Sequence, residues 1–186
     1  LRGGLGNRIR AGDVLQTGKP SRELLKLAAR NFRVEKYMAY SQSPVIEVIA
    51  GPQNERFTKE GYQTFLNSEY TLSTSFDRMG YRLDGNPIVH SAGADLISEG
   101  MTMGSVQVPA NGQPIVMMAD SPTTGGYPKI ANVVKSSLPL LAQCESGVSK
   151  IRFKEITVEE AQEKYRNIHV ANFRATLMLR YRMKLP

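Results

Sequence analysis

The sequence predicts a mainly β domain, a barrel or sandwich with helices at its periphery. Three observations carry that prediction. Short apolar or alternating runs are bounded by Gly, Pro and Asn; few stretches have helical spacing; and 186 residues suit one compact domain. Strands that follow one another through tight turns argue against a doubly wound parallel sheet.

Residues 1–20 are rich in glycine and polar groups and read as a lead-in linker, with Ala11-Gly-Asp-Val-Leu15 a turn feeding a short strand. Ser21 is placed to cap a short helix, with Glu23 in its first turn and Leu24 and Leu25 behind it. Leu24 stands where a capping box would have Glu or Gln. Pro44-Val-Ile-Glu-Val-Ile-Ala50 is β-branched and closed by Gly51-Pro52, a strand. Thr58 starts a helix to about Glu69, with Tyr62, Phe65 and Leu66 on one side. Tyr70 to Phe76 alternates as a strand does, and Tyr81-Arg-Leu83 continues it after a bend at Gly80, which puts Asp77, Arg78 and Met79 at the break.

Ser105–Val108 and Ile115–Ala119 flank Asn111-Gly112, a pair that supplies positive φ at small cost and favours a hairpin. Lys129–Val134 is the next strand, and Ser137 caps a short helix to Gln143 with Pro139 tolerated in its first turn. Gly147 ends that excursion. Lys150–Ile156 alternates apolar and charged residues as a half-buried strand. Thr157-Val-Glu-Glu160 fits a capping box, and Ala161, Tyr165 and Ile168 follow at helical spacing.

Composition excludes several classes of function. No stretch approaches the roughly eighteen apolar residues of a membrane helix. The single cysteine, Cys144, excludes an intramolecular disulfide and a cysteine-based zinc site, and it fits a reducing cytoplasm. His90 and His169 lie far apart with no ligand spacing around either, so no metal is expected. The net charge of +7 raises nucleic acid as a partner, but the excess sits at the two ends and no basic–aromatic interleaving occurs between them. Thr17-Gly-Lys19 is not a P-loop, since Pro20 stands at the magnesium-ligating position and Asp13 at the first glycine. There is no Gly-x-Ser-x-Gly elbow.

The polar residues that a core does not need concentrate between 75 and 128. Arg78 and Arg82 each offer a planar fork for a carboxylate or phosphate, or else pair with a nearby aspartate; Tyr81 alternates with them. Gln107, Asn111 and Gln113 surround the Asn-Gly turn with amides that both donate and accept. Asp120 opens the loop Ser121-Pro-Thr-Thr-Gly-Gly-Tyr127, and with Asp77 and Asp84 it is among the carboxylates on which proton transfer would first fall. In that loop the backbone N–H groups of Thr123, Thr124, Gly125, Gly126 and Tyr127 could converge on an anion, or the glycines could serve a plain turn.

The words Ser75-Phe-Asp-Arg-Met-Gly-Tyr-Arg-Leu83, Val106-Gln-Val-Pro109, Asn111-Gly-Gln-Pro-Ile115, and Asp120 with Thr123-Thr-Gly-Gly-Tyr-Pro-Lys-Ile-Ala131 closely resemble the motifs of the allophanate hydrolase subunit 2 family. The resemblance covers residues 1–165, and Leu1 to Asp13 resembles the join between two halves of the family's chain. It implies a cyclophilin-like β-barrel over 21–165, a linker over 1–20 from an absent N-terminal half, and a basic C-terminal tail over 166–186. Two positions depart from the pattern: Pro122 where the family usually has Gln, and Asp77 where Asn is frequent.

The family's chemistry implies one component of an ATP-dependent amide-cleaving enzyme, foremost a 5-oxoprolinase that opens 5-oxo-L-proline to L-glutamate. Its partners would be a subunit 1/B homologue of related fold and the A component of a 5-oxoprolinase. The substrate residues implied are Arg78, Tyr81, Gln107, Asn111, Gln113 and Thr123–Tyr127, with ATP bound by the complex. The alternatives are a biotin-dependent carboxyltransferase or allophanate hydrolase-type subunit of urea metabolism, and a non-catalytic regulator that antagonises a histidine-kinase inhibitor. The chain has no Ala-Met-Lys-Met sequence, so any biotin would ride on another protein.

Overall fold

The computed structural model describes residues 11–14, 16, 18–19 and 40–181, with side chains described as far as residue 170. The expected helix after Ser21 lies outside these residues, as does Leu15 of the expected first strand; Ala11 and Gly12 form the anticipated turn.

Seven strands close into a barrel in the order β1-β8-β5-β6-β3-β2-β9. They are β1 (Val45–Ala50), β2 (Tyr70–Phe76), β3 (Gly80–Asp84), β5 (Ser105–Gln107), β6 (Ile115–Met117), β8 (Lys129–Val133) and β9 (Lys150–Glu155). All neighbours are antiparallel except β9 and β1, which run parallel from Val45↔Arg152 to Val48↔Glu155 and complete the ring. Closure removes the unpaired edges that an open sheet would expose. Two further strands, β4 (Glu99–Gly100) and β7 (Thr124–Gly125), pair only with each other and form a short strap outside the barrel.

Alternation sorts the side chains. In β9, Ile151 and Phe153 are buried between exposed Lys150, Arg152 and Lys154. Ile46, Val48, Leu72, Leu83, Val106, Val116 and Ile130 fill the interior from the other strands. Helix α1 (Lys59–Asn67) seals one side: Phe65 stacks on Phe153 with ring centroids 4.5 Å apart and contacts Tyr70 at 6.5 Å. Thr58 caps it by accepting from the Gly61 amide, 2.9 Å away. Gly61 also has to be glycine, because a Cβ there would lie 2.3 Å from the Val89 carbonyl oxygen.

Helix α2 (Leu138–Ala142) buries Leu138 and Leu141. Ser137 stands at its start but makes no side-chain cap; its hydroxyl instead accepts the Glu47 amide of β1 at 3.2 Å. Sequence spacing identified the residue and missed its partner, which comes from a strand ninety positions away. Helix α3 (Val158–Tyr181) begins with the expected box: the Glu160 amide donates to the Thr157 hydroxyl (3.2 Å) and the Thr157 amide to the Glu160 carboxylate (2.8 Å). The helix is continuous through residues 165 and 166.

Pairing registers set two rows across the sheet formed by β3, β6 and β5. Tyr81, Val116 and Val106 form one, on the core-facing pleat; Arg82, Ile115 and Gln107 form the next, on the outer pleat. Directly opposite residues in antiparallel strands point the same way, so this outer row presents three neighbouring side chains to one surface.

Candidate functional site

An open cavity of about 580 Å³ lies between that outer surface and the β4–β7 strap. Its floor is Gly80, Arg82, Gln107, Ile115 and Met117. Thr74 to Asp77 with Met79 form one side, and Met101, Pro122 and Thr124 to Tyr127 form the other.

Gln107 is the most constrained polar group in the cavity, with only 4% of its surface exposed. Its Nε2 donates to the Tyr127 carbonyl at 3.3 Å. Its Oε1 receives no hydrogen bond from the described residues, and the side chain lines the cavity. A nearly buried carbonyl-type oxygen without a donor is an acceptor waiting for one. The amide fits because position 125 lacks a side chain: a Cβ on Gly125 would come within 2.6 Å of both Gln107 Nε2 and Met101 Sδ.

The strap is tied down by a second polar group. Lys129, 3% exposed and paired with Gln107 across β8 and β5, reaches Glu99 on β4 with Nζ–Oε2 at 3.3 Å. Gln53 donates to the same carboxylate oxygen at 2.7 Å and accepts the Lys129 amide at 3.2 Å. A buried ammonium needs such compensation.

At the rim, the Asp77 Oδ1 accepts the Met79 and Gly80 amides at 2.8 and 3.1 Å, closing the β2–β3 turn. An asparagine oxygen could accept the same two bonds. Arg78 grips Asp120 through two bonds, Nε–Oδ2 at 2.5 Å and Nη2–Oδ1 at 2.9 Å. That pairing holds the Asp120 carboxyl below its usual range and pushes the Arg78 guanidinium up.

The predicted site residues therefore separate into groups. Gln107, Thr124, Gly125, Gly126 and Tyr127 line the cavity. Arg78 and Asp120 occupy each other at its rim, and the Thr123 carbonyl accepts the Met101 amide. Tyr81 is half-buried on the opposite pleat, edge-on to Phe76 at 5.4 Å, and burial raises its hydroxyl pKa. Asn111 and Gln113 stay in the hairpin turn: Asn111 accepts the Gln113 amide at 3.1 Å, and Gln113 exchanges two bonds with the Gly85 backbone. Gly112 supplies the expected positive φ of 72°.

The Thr123–Gly126 loop does not form an anion cradle. Gly125 and Thr124 are paired with Glu99 and Gly100, and neither Gly125 nor Gly126 adopts a positive φ. The glycines answer to close packing, against Gln107 and Met101 for Gly125 and against the Leu96 carbonyl for Gly126. Residues that sequence reasoning left out of the site are Thr74, Ser75, Met101, Ile115, Met117 and the buried Lys129. Only Lys129 carried a signal, as a lone charge opening an apolar strand. Among the described residues no cluster of His, Cys, Asp and Glu is placed to hold a metal ion, and no helix is long and apolar enough to cross a membrane.

Residues 1–155 match the family described as carboxyltransferase domain, subdomain A and B. The C component of 5-oxoprolinase from Haemophilus influenzae is 38% identical over 163 residues, covering 86% of this chain and 49% of the relative. That of Escherichia coli is 37% identical over 160 residues, with 86% and 49% covered. The chain thus spans about half the length of the curated relatives it matches. Among solved structures, the Kluyveromyces lactis urea amidolyase superposes with a TM-score of 0.63 at 19% identity, over 70% of this chain and 9% of that one. That likeness supports the barrel alone. With the family match running from residue 1 to residue 155 and the site words contained in it, the chain belongs to the carboxyltransferase domain family, subdomains A and B.

Proposed function

We propose that this chain is part of the C component of a 5-oxoprolinase and carries one wall of the cleft that receives a small carboxylated amide. The observation that carries this reading is the identity to two proteins of that name over 86% of the chain. The cavity's chemistry supports it. A lactam N–H needs an acceptor, and Gln107 Oε1, on a side chain only 4% exposed, receives no other donor among the described residues.

On this reading the reaction is the ATP-dependent opening of 5-oxo-L-proline to L-glutamate, carried out in the cytoplasm together with a subunit 1/B homologue and the A component. ATP, on the same reading, is bound by the complex. The role of this chain is to bind and orient the substrate. Asp120, held ionised by Arg78, is not free to act as a general acid while the fork is closed.

The test uses the full-length natural protein with its partner components, ATP and 5-oxo-L-proline. Glutamate should form, and omission of this component should abolish it. A complex that assembles with its partners and forms no glutamate would overturn the reading and favour a regulatory role.

A further inference from the structure

We infer that Arg82, rather than Arg78, is the carboxylate anchor of this cleft, and that Arg82, Ile115 and Gln107 form a three-point platform for a small carboxylate bearing an amide N–H. The inference rests on the reading above and specifies its binding site.

Arg78 is already occupied. Its Nε and Nη2 are both bonded to Asp120, whose carboxylate already offsets its charge, and it does not line the cavity, so a ligand carboxylate there would compete with an intramolecular one. Arg82 is exposed, lines the cavity floor, and has no ion-pair or hydrogen-bond partner among the described residues. The strand beside it is built to leave it open. Leu72 pairs with Leu83 and Phe76 with Tyr81, so Ser73, Thr74 and Ser75 all stand opposite Arg82 alone, a bulge that swells β2. Thr74 and Ser75 line the same cavity and add hydroxyl groups to it.

Register fixes the spacing between the anchor and the acceptor. Ile115 pairs with Arg82 on one side and with Gln107 on the other. Strands lie about 4.8 Å apart, so the two polar residues stand roughly 10 Å apart at their backbones, with the Ile115 side chain between them. Arg82 and Gln107 both line the cavity, with Ile115 between them as an apolar floor. Polarity is fixed as well. Gln107 Nε2 is committed to the Tyr127 carbonyl, so its free oxygen demands a donor and would repel a second carboxylate. The ligand must present its negative group to Arg82 and its N–H to Gln107, with carbon against Ile115.

Calorimetric binding to the natural full-length protein in its multi-component complex tests this with three probes: 5-oxoproline, 2-pyrrolidinone, which lacks the carboxylate, and cyclopentanecarboxylate, which lacks the lactam. Arg82→Ala should weaken 5-oxoproline and cyclopentanecarboxylate by about tenfold or more and leave 2-pyrrolidinone unchanged. Gln107→Leu should weaken both lactams and spare cyclopentanecarboxylate, and that retained binding also shows that the variant is folded. Arg78→Ala should change each affinity by less than about threefold. If Arg82→Ala binds 5-oxoproline as wild type does, or if Arg78→Ala causes the larger loss, the anchor assignment is wrong while the functional reading stands. A wild-type complex that neither binds nor turns over 5-oxoproline overturns both.

Discussion

Arg78 and Asp120 join the β2–β3 turn to the segment that follows β6 through a two-bond fork, and the backbone repeats the link: the Asp120 amide donates to the Arg78 carbonyl at 2.8 Å and the Met118 amide to the Met79 carbonyl at 3.0 Å. Both side chains are well exposed, so their ion pair contributes little to global stability. Its effect is local. Arg78→Ala should leave the melting temperature nearly unchanged while amide hydrogen exchange at Asp120 and Met118 quickens. Because the Asp120 carboxyl is held below its usual range, wild type should keep this protection down through the ordinary carboxylate range and lose it only as pH falls through the lowered value. Equal exchange rates in wild type and variant would show that the backbone bonds suffice.

Glycines 51 and 125 separate two kinds of close approach. A Cβ at Gly51 would lie 2.1 Å from the Lys129 carbonyl oxygen and 2.6 Å from the Ala131 amide nitrogen, both backbone atoms of a barrel strand. A Cβ at Gly125 meets the ends of two side chains, and the Met101 thioether is flexible. Gly51→Ala should therefore cost more than about 3 kcal/mol and Gly125→Ala about 1–2 kcal/mol, measured by denaturant unfolding. Gly125→Ala should also perturb the side-chain amide resonances of Gln107. A reversed order of costs would contradict the packing described for the strap.

Tyr70 is fully buried against Phe65 and Phe153, and burial pushes its hydroxyl from an ordinary 10.0 up to about 12. The folded state thus favours the neutral phenol. Its contribution to stability is complete below about pH 10 and is lost as pH rises toward about 12. Alkaline titration followed by tyrosinate absorbance should show Tyr70 ionising late and together with unfolding, and Tyr70→Phe should flatten the alkaline fall in stability. A variant with the wild-type alkaline profile would place the cause elsewhere.

Much of the barrel was legible because its signals are local. The Pro44–Ala50 run, the Thr58 cap, the Asn111-Gly112 turn and the Thr157/Glu160 box each depend on residues within a few positions of one another, and each appears where expected. Closure followed from the family resemblance and was not legible in local pattern, since it depends on Val45 meeting Arg152 across more than a hundred residues. Neither was the strap, whose strands are two residues each and too short to show a period. The grouping of the site residues was hidden for the same reason. Arg78 and Arg82 look alike in sequence, and only the register across β3, β6 and β5, with Asp120 folded back onto Arg78, distinguishes the occupied guanidinium from the free one. Gln113 had as good a claim as Gln107 until the hairpin turned it toward Gly85.

The box at the start of α3 gives a helix-specific prediction. Thr157→Ala removes the acceptor for the Glu160 amide and should cost about 1 kcal/mol; Glu160→Ala removes the return bond and should cost somewhat less. The double variant should cost less than the sum, because the two bonds orient each other. Circular dichroism should report the loss as helix while the barrel's near-ultraviolet signal persists. Strict additivity would mean that the two bonds act independently.

Lys129 and Glu99 allow the strap's attachment to be separated from its charge. The ammonium is almost wholly buried, whereas half of the Glu99 side chain is exposed, so removing the carboxylate leaves the more expensive partner stranded. Glu99→Ala should cost about 1–3 kcal/mol, the lower end reflecting water's access to the pair. Adding Lys129→Met removes the stranded charge and keeps a side chain of similar volume, so the double variant should be more stable than Glu99→Ala alone. Glu99→Gln keeps an acceptor for Gln53 Nε2 and should fall between wild type and the alanine variant. Because Glu99 pairs with Gly125, the single variants should also weaken ligand binding in the cavity by loosening the wall that carries Tyr127. If Glu99→Ala and the double variant unfold at the same denaturant concentration, the buried ammonium is compensated without Glu99, and the strap is held by Gln107 and the β4–β7 backbone pairing alone.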